Sequence, residues 1–298
     1  MSEKDTAALV EIEKNNVNVK TFKQRWESYK KHPGSMILFL LVCLAALITS
    51  VVIVYLIVYI LVNGIPNLKP ELFAWEYNTE NVSMLPALIN TLIMTALTLL
   101  LAVPIGVFSA IYLVEYAKRG NKLVKIIRMT AETLSGIPSI VYGIFGFLIF
   151  VTAFKWSYSL IAGVLTLLIM ILPVILRTTE EALMAVPDSY REGSFGLGAG
   201  RLRTVFRIVL PSAAPGIFAG VILAIGRIVG ESAALLFTSG ATAALPTSTR
   251  TLSVHMYALL TEGFYTDQAN ATAVVLLVMV VGINALSSFA AKRIGTKE

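Results

Sequence analysis

Long runs of apolar residues, parted by short polar stretches, organise this chain. Met36 to Val62 holds no charged residue, and similar runs follow at Pro86–Val114, Thr133–Phe154, Ser157–Leu176, Ala213 to about Gly240, and Ala271–Ala291. Each is close to the ~20 residues a helix needs to cross a bilayer core. A buried globular core accounts for one such run but not for six. The pattern therefore predicts an all-α polytopic membrane protein with six transmembrane helices. The first run is too long for the apolar core of a cleaved signal, about 7–15 residues, and it follows a polar arm. The layout is an arm at 1–35, a first span at 36–62, an outer loop at 63–85, a five-span core at 86–291 and a tail at 292–298.

Charge sharpens this picture. Only 14% of residues are charged, against about 25% in a soluble domain. Lys and Arg number 7 in the arm, 5 in 115–130, 5 in 177–212 and 3 after residue 291, whereas the other connections hold only Lys69, Lys155 and Arg250. The positive-inside rule then places both termini in the cytoplasm. The net charge of +6 is explained by orientation and by contact with membrane lipid headgroups, so no nucleic acid is required. Cys43 is the sole cysteine, which excludes an internal disulfide or a cysteine-based metal site. A Gly-rich loop ending in Gly-Lys-Ser/Thr and a His-Glu-x-x-His pair are both missing, so the chain reads as a non-enzyme. Gly196, Gly198 and Gly200 imitate part of a dinucleotide fingerprint but follow no strand. Inside the spans, Pro104, Gly106, Gly136, Pro138 and Pro173 are expected to bend helices or to let them approach closely.

Residues 177–212 form the most informative polar segment. Pro187-Asp188 opens a short helix, and Ser189 with Glu192 fits a capping box. The glycines end that helix. Arg201 to Val209 reads as a second, amphipathic helix with Leu202, Val205, Phe206 and Val209 on one face, and Pro211 starts the fifth span. Such a ridge either fits a partner's groove or rests on the headgroups.

Within the fifth span, Arg227 and Glu231 are one helical turn apart and predicted to share a face. A charge at the centre of a membrane helix costs about 2.5–3.5 kcal/mol on insertion scales. Each must therefore be paired, hydrated or turned toward a cavity. Either the two neutralise each other, or Arg227 offers its planar fork to an anion in a pathway. Ser139, Tyr142 and Ser232 are candidate hydroxyl donors there, with helix packing as the plainer role.

Glu192-Gly193-Ser194, then Gly198, and nine residues later Ile208-Val209-Leu210-Pro211, resemble the EAA loop of bacterial ABC importer permeases. The family pattern has two alanines where Gly193 and Ser194 stand. Ser135-Gly136-Ile137-Pro138-Ser139-Ile140-Val141-Tyr142-Gly143 is similar to the third-span motif of phosphate importer permeases. Arg227-Ile228-Val229-Gly230-Glu231-Ser232-Ala233 with Leu235-Leu236 resembles their fifth-span motif, and Asn90-Thr91 fits the start of span two. The resemblance runs over about residues 86 to 291 and is to PstA-type subunits.

It implies a type I ABC importer permease fold in the bacterial plasma (inner) membrane, forming half of a pathway for inorganic phosphate. A homologous PstC-type permease, two PstB-type ATP-binding subunits and an extracytoplasmic PstS-type binding protein are the implied partners. ATP and Mg are expected in the ATPase, with no cofactor and no metal in this chain. Ser189, Glu192, Gly193, Gly198, Ile208, Leu210 and Pro211 would carry the coupling loop. Arg227, Glu231, Ser139, Tyr142 and Ser232 would line the path, Glu231 either resting against Arg227 or accepting a hydrogen bond from a phosphate P–OH. The alternatives are a permease for another oxyanion or small solute, and an ATP-independent secondary transporter.

Overall fold

A computed structural model describes residues 33–118, 120–240 and 249–295. The arm at 1–35 falls almost wholly outside these residues, as do 241–248 of the fifth connection and the last three residues of the tail. The described residues are helical, with no strand among them. The chain divides into two units, residues up to 59 and residues from 60 onward. The first is described by helix α1, Pro33–Gly64, which is apolar all round and begins three residues before the predicted span.

In the second unit, α2 (Leu85–Ile111) runs on through a widened turn at Tyr112–Tyr116. Pro104 is accommodated inside α2, and Gly106 lets it lie against α5 (Leu160–Met184), where an added Cβ would stand 2.7 Å from Ile175 Cγ2. α5 is the centre of the unit. Ser159 caps its N-terminus by accepting from the Ala162 N–H, and Pro173 sits within it without breaking it. Met94, Ala102, Leu167, Met170, Ile171, Ile175, Ala224 and Ile228 form the main core around it.

The predicted third span is not one helix. An amphipathic helix α3 (Lys122–Ser135) and an apolar helix α4 (Ser139–Gly146, continued by a widened turn at Phe147–Ala153) meet at 104°. Pro138 has no N–H to continue the ladder and disfavours helix at Ile137. The expected bend is thus a full break. The fifth span differs as well: α7 (Arg201–Thr204), a widened turn at Val205–Val209 and α8 (Leu210–Val229) form one 29-residue helix, so Pro211 does not start a new one. It stops at Gly230 rather than near Gly240, and a short helix α9 (Ala233–Thr238) follows. Before it, α6 (Asp188–Gly196) is the short helix of the loop. Helix α10 (Leu252–Glu262) turns at Gly263, in the left-handed region, into α11 (Thr266–Gly295), the last span. Among the described residues five helices are long and apolar enough to cross a membrane, and the bent α3–α4 pair brings the number to six when it is taken as one span.

The loop at 63–85 caps one end of the bundle. Leu72 and Met84 pack with Ala87, Leu252 and Ala271, and the Met84 N–H donates to the Leu72 carbonyl at 2.8 Å.

Candidate functional site

Beyond the end of α8, a Cβ on Gly163 would meet Met94, Ser239 and Leu235. Two contacts within α8, Gly216 on Ala182 and Gly220 on Thr178, set its antiparallel register against α5. It places the break at Gly230-Glu231-Ser232 opposite residues 166–168, halfway along the apolar stretch Leu160–Leu176. Non-helical backbone at this depth persists only where it is buried in protein or lines a water-filled cavity. Here the polar groups are met in several ways. The Gly230 N–H donates to Gly226 O, the Glu231 N–H to Ile228 O, and Ser253 Oγ donates to Glu231 O at 2.6 Å.

Glu231 therefore lies beyond the end of α8 and does not share a helix face with Arg227. Its carboxylate accepts from the Ala234 N–H at 3.0 Å and so caps α9. Among the described residues no ion pair joins Arg227 to Glu231 or to any other carboxylate. The buried face of α8 is Ala213, Ile217, Gly220, Ala224 and Ile228. Pro215, Ala219, Leu223 and Gly230 form an exposed stripe, and the half-buried Arg227 continues its i+4 spacing. Arg227 is thus on the uncovered side of the span, at the level of the break.

α4 and α9 run parallel, with Gly143 against Ala234 and Gly146 against Thr238. This brings Ser139, at the start of α4, beside the Gly230–Ser232 gap. Ser139 and Ser232 are half-buried. Tyr142 is buried within electrostatic reach of Arg227. Its hydroxyl donates to Leu134 O at 2.7 Å, strapping α3 to α4 across the break. Asn90 and Thr91 hold the chain returning from the fifth connection. Asn90 Nδ2 donates to Arg250 O, and Thr91 Oγ1 accepts from the Leu252 N–H at 2.8 Å.

On the basic face, the expected helix–turn–helix of residues 188–209 is present but differs in detail. α6 begins at Asp188 after Pro187 without a side-chain cap, so Ser189 and Glu192 form no capping box and both stay exposed. Proline at the N-cap, with no side-chain acceptor, leaves the box without its first member. The turn is a Schellman closure. The Gly198 N–H donates to Phe195 O, the Ala199 N–H to Ser194 O, and Gly198 has φ +81°. The predicted ridge splits. Val205 and Val209 are buried with Leu183, Val186 and Ala213, whereas Leu202 and Phe206 are exposed beside Leu197 and Phe195. The reason is that the second helix continues directly into the fifth span, which fixes its rotation. Ile208 and Leu210 are half-buried, and Pro211 and Gly193 are exposed. Ser194 is buried and hydrogen-bonded to Thr204 Oγ1 at 2.8 Å, which joins the two helices where the family pattern has an alanine.

Arg191 went unnoticed in the sequence. Its guanidinium meets Glu115 through Nη2 at 2.7 Å and Nε at 3.1 Å, Leu183 O at 2.9 Å, Val186 O at 2.8 Å and Asp188 at 3.2 Å. It ties α6 to the ends of α2 and α5. Arg128 and Glu180 similarly pair α3 with α5. The only sequence signal for Arg191 was its place directly before Glu192, and Glu115 lies 76 residues away.

The described residues thus form a helical membrane bundle with a break inside one apolar span and a helix–turn–helix across its basic face. The chain belongs to the family described as binding-protein-dependent transport system inner membrane component, whose model matches residues 102–297. It is 36% identical over 280 residues to the probable ABC transporter permease protein YqgI of Bacillus subtilis, covering 85% of this chain and 92% of that one. It is 35% identical over 205 residues to the phosphate transport system permease protein PstA of Mycobacterium leprae, 66% of this chain and 67% of the relative. With PstA 1 of Mycobacterium tuberculosis it shares 40% over 154 residues, about half of each chain.

Two solved structures agree in fold. A chain of a bacterial alginate ABC transporter, in complex with an alginate pentasaccharide-bound periplasmic protein, superposes with a TM-score of 0.66 at 16% identity, covering 90% of this chain and 98% of that one. The MetNI methionine ABC transporter gives 0.57 at 20% identity, covering 71% and 94%. The protein is an ABC importer permease subunit, and that family implies a partner ATPase and a substrate-binding protein.

Proposed function

We propose that this subunit imports inorganic phosphate, forming half of a pathway with a PstC-type permease. Two PstB-type ATPases would drive it, holding the ATP and Mg, and a PstS-type protein would deliver the anion. The observation that carries this reading is Arg227, a cation on the uncovered face of the fifth span, level with the break and without a carboxylate partner among the described residues. A guanidinium presents its donors as a fork that matches an oxyanion. The similarity to PstA permeases supports phosphate as the cargo. Ser139 and Ser232 stand beside the same gap and supply hydroxyl donors. Tyr142 Oη, already donating to Leu134, can only accept there.

The coupling loop lies on the cytoplasmic side in this reading, with both termini, and the exposed Leu197, Leu202 and Phe206 meet the ATPase. Uptake of labelled phosphate by the reconstituted complex, normalised to complex assembled, tests the pathway role. Arg227→Gln should assemble and lose most uptake. Adding Glu231→Gln should not restore it, because the two side chains are not a pair and Gln can still cap α9. Near-normal uptake by the double variant would remove Arg227 from the path.

A further inference from the structure

On the basic face a cavity of about 950 Å³ lies between the end of α2, the start of α3, α6 and the start of α7. Leu113 and Val124 are its buried apolar members, and the exposed Met184 and Phe195 also line it. Six cations and two acids line it, and the pairing among them is unequal. Glu115 and Asp188 are both held by Arg191, and Arg128 is held by Glu180 outside the lining. Lys118, Lys122, Lys125 and Arg201 are left with no ion pair among the described residues. Arg201 is held in place by its guanidinium over the Tyr116 ring, 5.9 Å from the centroid. The N-terminus of the 14-residue α3 opens at the same rim and adds its partial positive charge.

We infer that this cavity binds a phosphate group. The volume falls in the range of small-ligand sites, about 300–1,000 Å³. The lining carries six cations against two acids and is therefore net positive, and both acids are hydrogen-bonded to Arg191. The group could come from an anionic phospholipid headgroup or from free inorganic phosphate. Beside the cavity α3 exposes Leu123, Ile126, Ile127 and Met129, an apolar face on which the acyl chains of a lipid would lie. The site is separate from the mid-depth gap and does not depend on which anion the complex transports.

The test uses the purified complex. In nanodiscs containing phosphatidylglycerol, native mass spectrometry counts retained lipid for the wild type, for Lys118→Gln/Lys122→Gln/Lys125→Gln, and for Arg203→Gln/Arg207→Gln as a same-face charge control. In phosphatidylcholine-only nanodiscs, inorganic phosphate is titrated against chloride at equal ionic strength, with thermal unfolding as readout. Lipid retention reduced about tenfold in the triple variant alone would support the site and assign the lipid. A saturable, phosphate-specific rise in Tm, absent from the triple variant alone, would support the site and assign the free anion. If the triple variant behaves like the control in both arms, the inference is overturned, and the groove is left to an acidic segment of the partner ATPase.

Discussion

At Gly143 an added methyl carbon would stand 2.8 Å from the Ala234 Cα and 3.1 Å from its carbonyl oxygen, both backbone atoms that no rotamer change can move. Gly143→Ala should therefore cost about 1–3 kcal/mol by overpacking, read as a lower Tm of the complex, while Gly193→Ala, with nothing within 4 Å, should be neutral or stabilising. The sequence showed both glycines but not which had a neighbour, because the crossing partner is 91 residues away. His255 makes a second residue-scale case. Burial first, and then the nearby Arg250 charge, push it down from 6.5 to about 3. Its folded pKa is below its unfolded one, so the stability it supports is complete above about pH 6.5 and is lost as pH falls toward 3. Each unit in that window should cost up to about 1.4 kcal/mol, and the slope of Tm against pH between 6.5 and 4 should flatten in His255→Gln.

For the elements, the hydrophobic runs overlap every span and match the first two closely at both ends, because length and charge depletion are local properties. They failed where a helix stops inside an apolar run. Gly230 ends α8 between Arg227 and Glu231, inside a run whose apolar residues resume at Ala233, and only tertiary packing shows the gap. The Gly136-Pro138 pair was legible as a bend, but its 104° was not. Gly198 illustrates how structure changes a mechanism. Nothing lies within 4 Å of a Cβ there, so the constraint is φ +81° rather than space. Gly198→Ala and Gly198→Arg should then weaken the coupling turn to a similar extent, about 1–2 kcal/mol. Substrate-stimulated ATP hydrolysis measures it, and normal coupling by the alanine variant would refute the backbone account.

At the scale of the whole molecule, charge counting along the chain predicts orientation, and the Arg191–Glu115 contact brings two of the basic segments together. In a Cys43→Ser background, cysteines at Lys69 or Thr249 should react with an impermeant thiol reagent in intact cells, and those at Lys122 or Arg201 should not. The Arg191 latch was illegible because it joins three elements far apart in sequence. Removing Arg191 alone leaves Glu115 buried and unpaired, and should cost about 3–5 kcal/mol. Arg191→Met with Glu115→Leu should recover much of the Tm. If that double variant regains stability but not transport, the latch passes motion from α6 to α2 as well as holding them.

The Ser253–Glu231 hydrogen bond spans 22 residues in the direction of synthesis. A nascent chain that has just delivered Gly230–Ser232 into the bilayer does not yet possess the residue that satisfies the Glu231 carbonyl. Nor can Asn90 and Thr91, inserted long before, find Arg250 and Leu252 until the following segment folds back. The fifth span is therefore an incomplete passenger during translation, stabilised only after the next connection emerges. Chains truncated after residue 248 and released from the ribosome should leave this span accessible to cleavage by a membrane protease, and released chains extended through Glu262 should protect it.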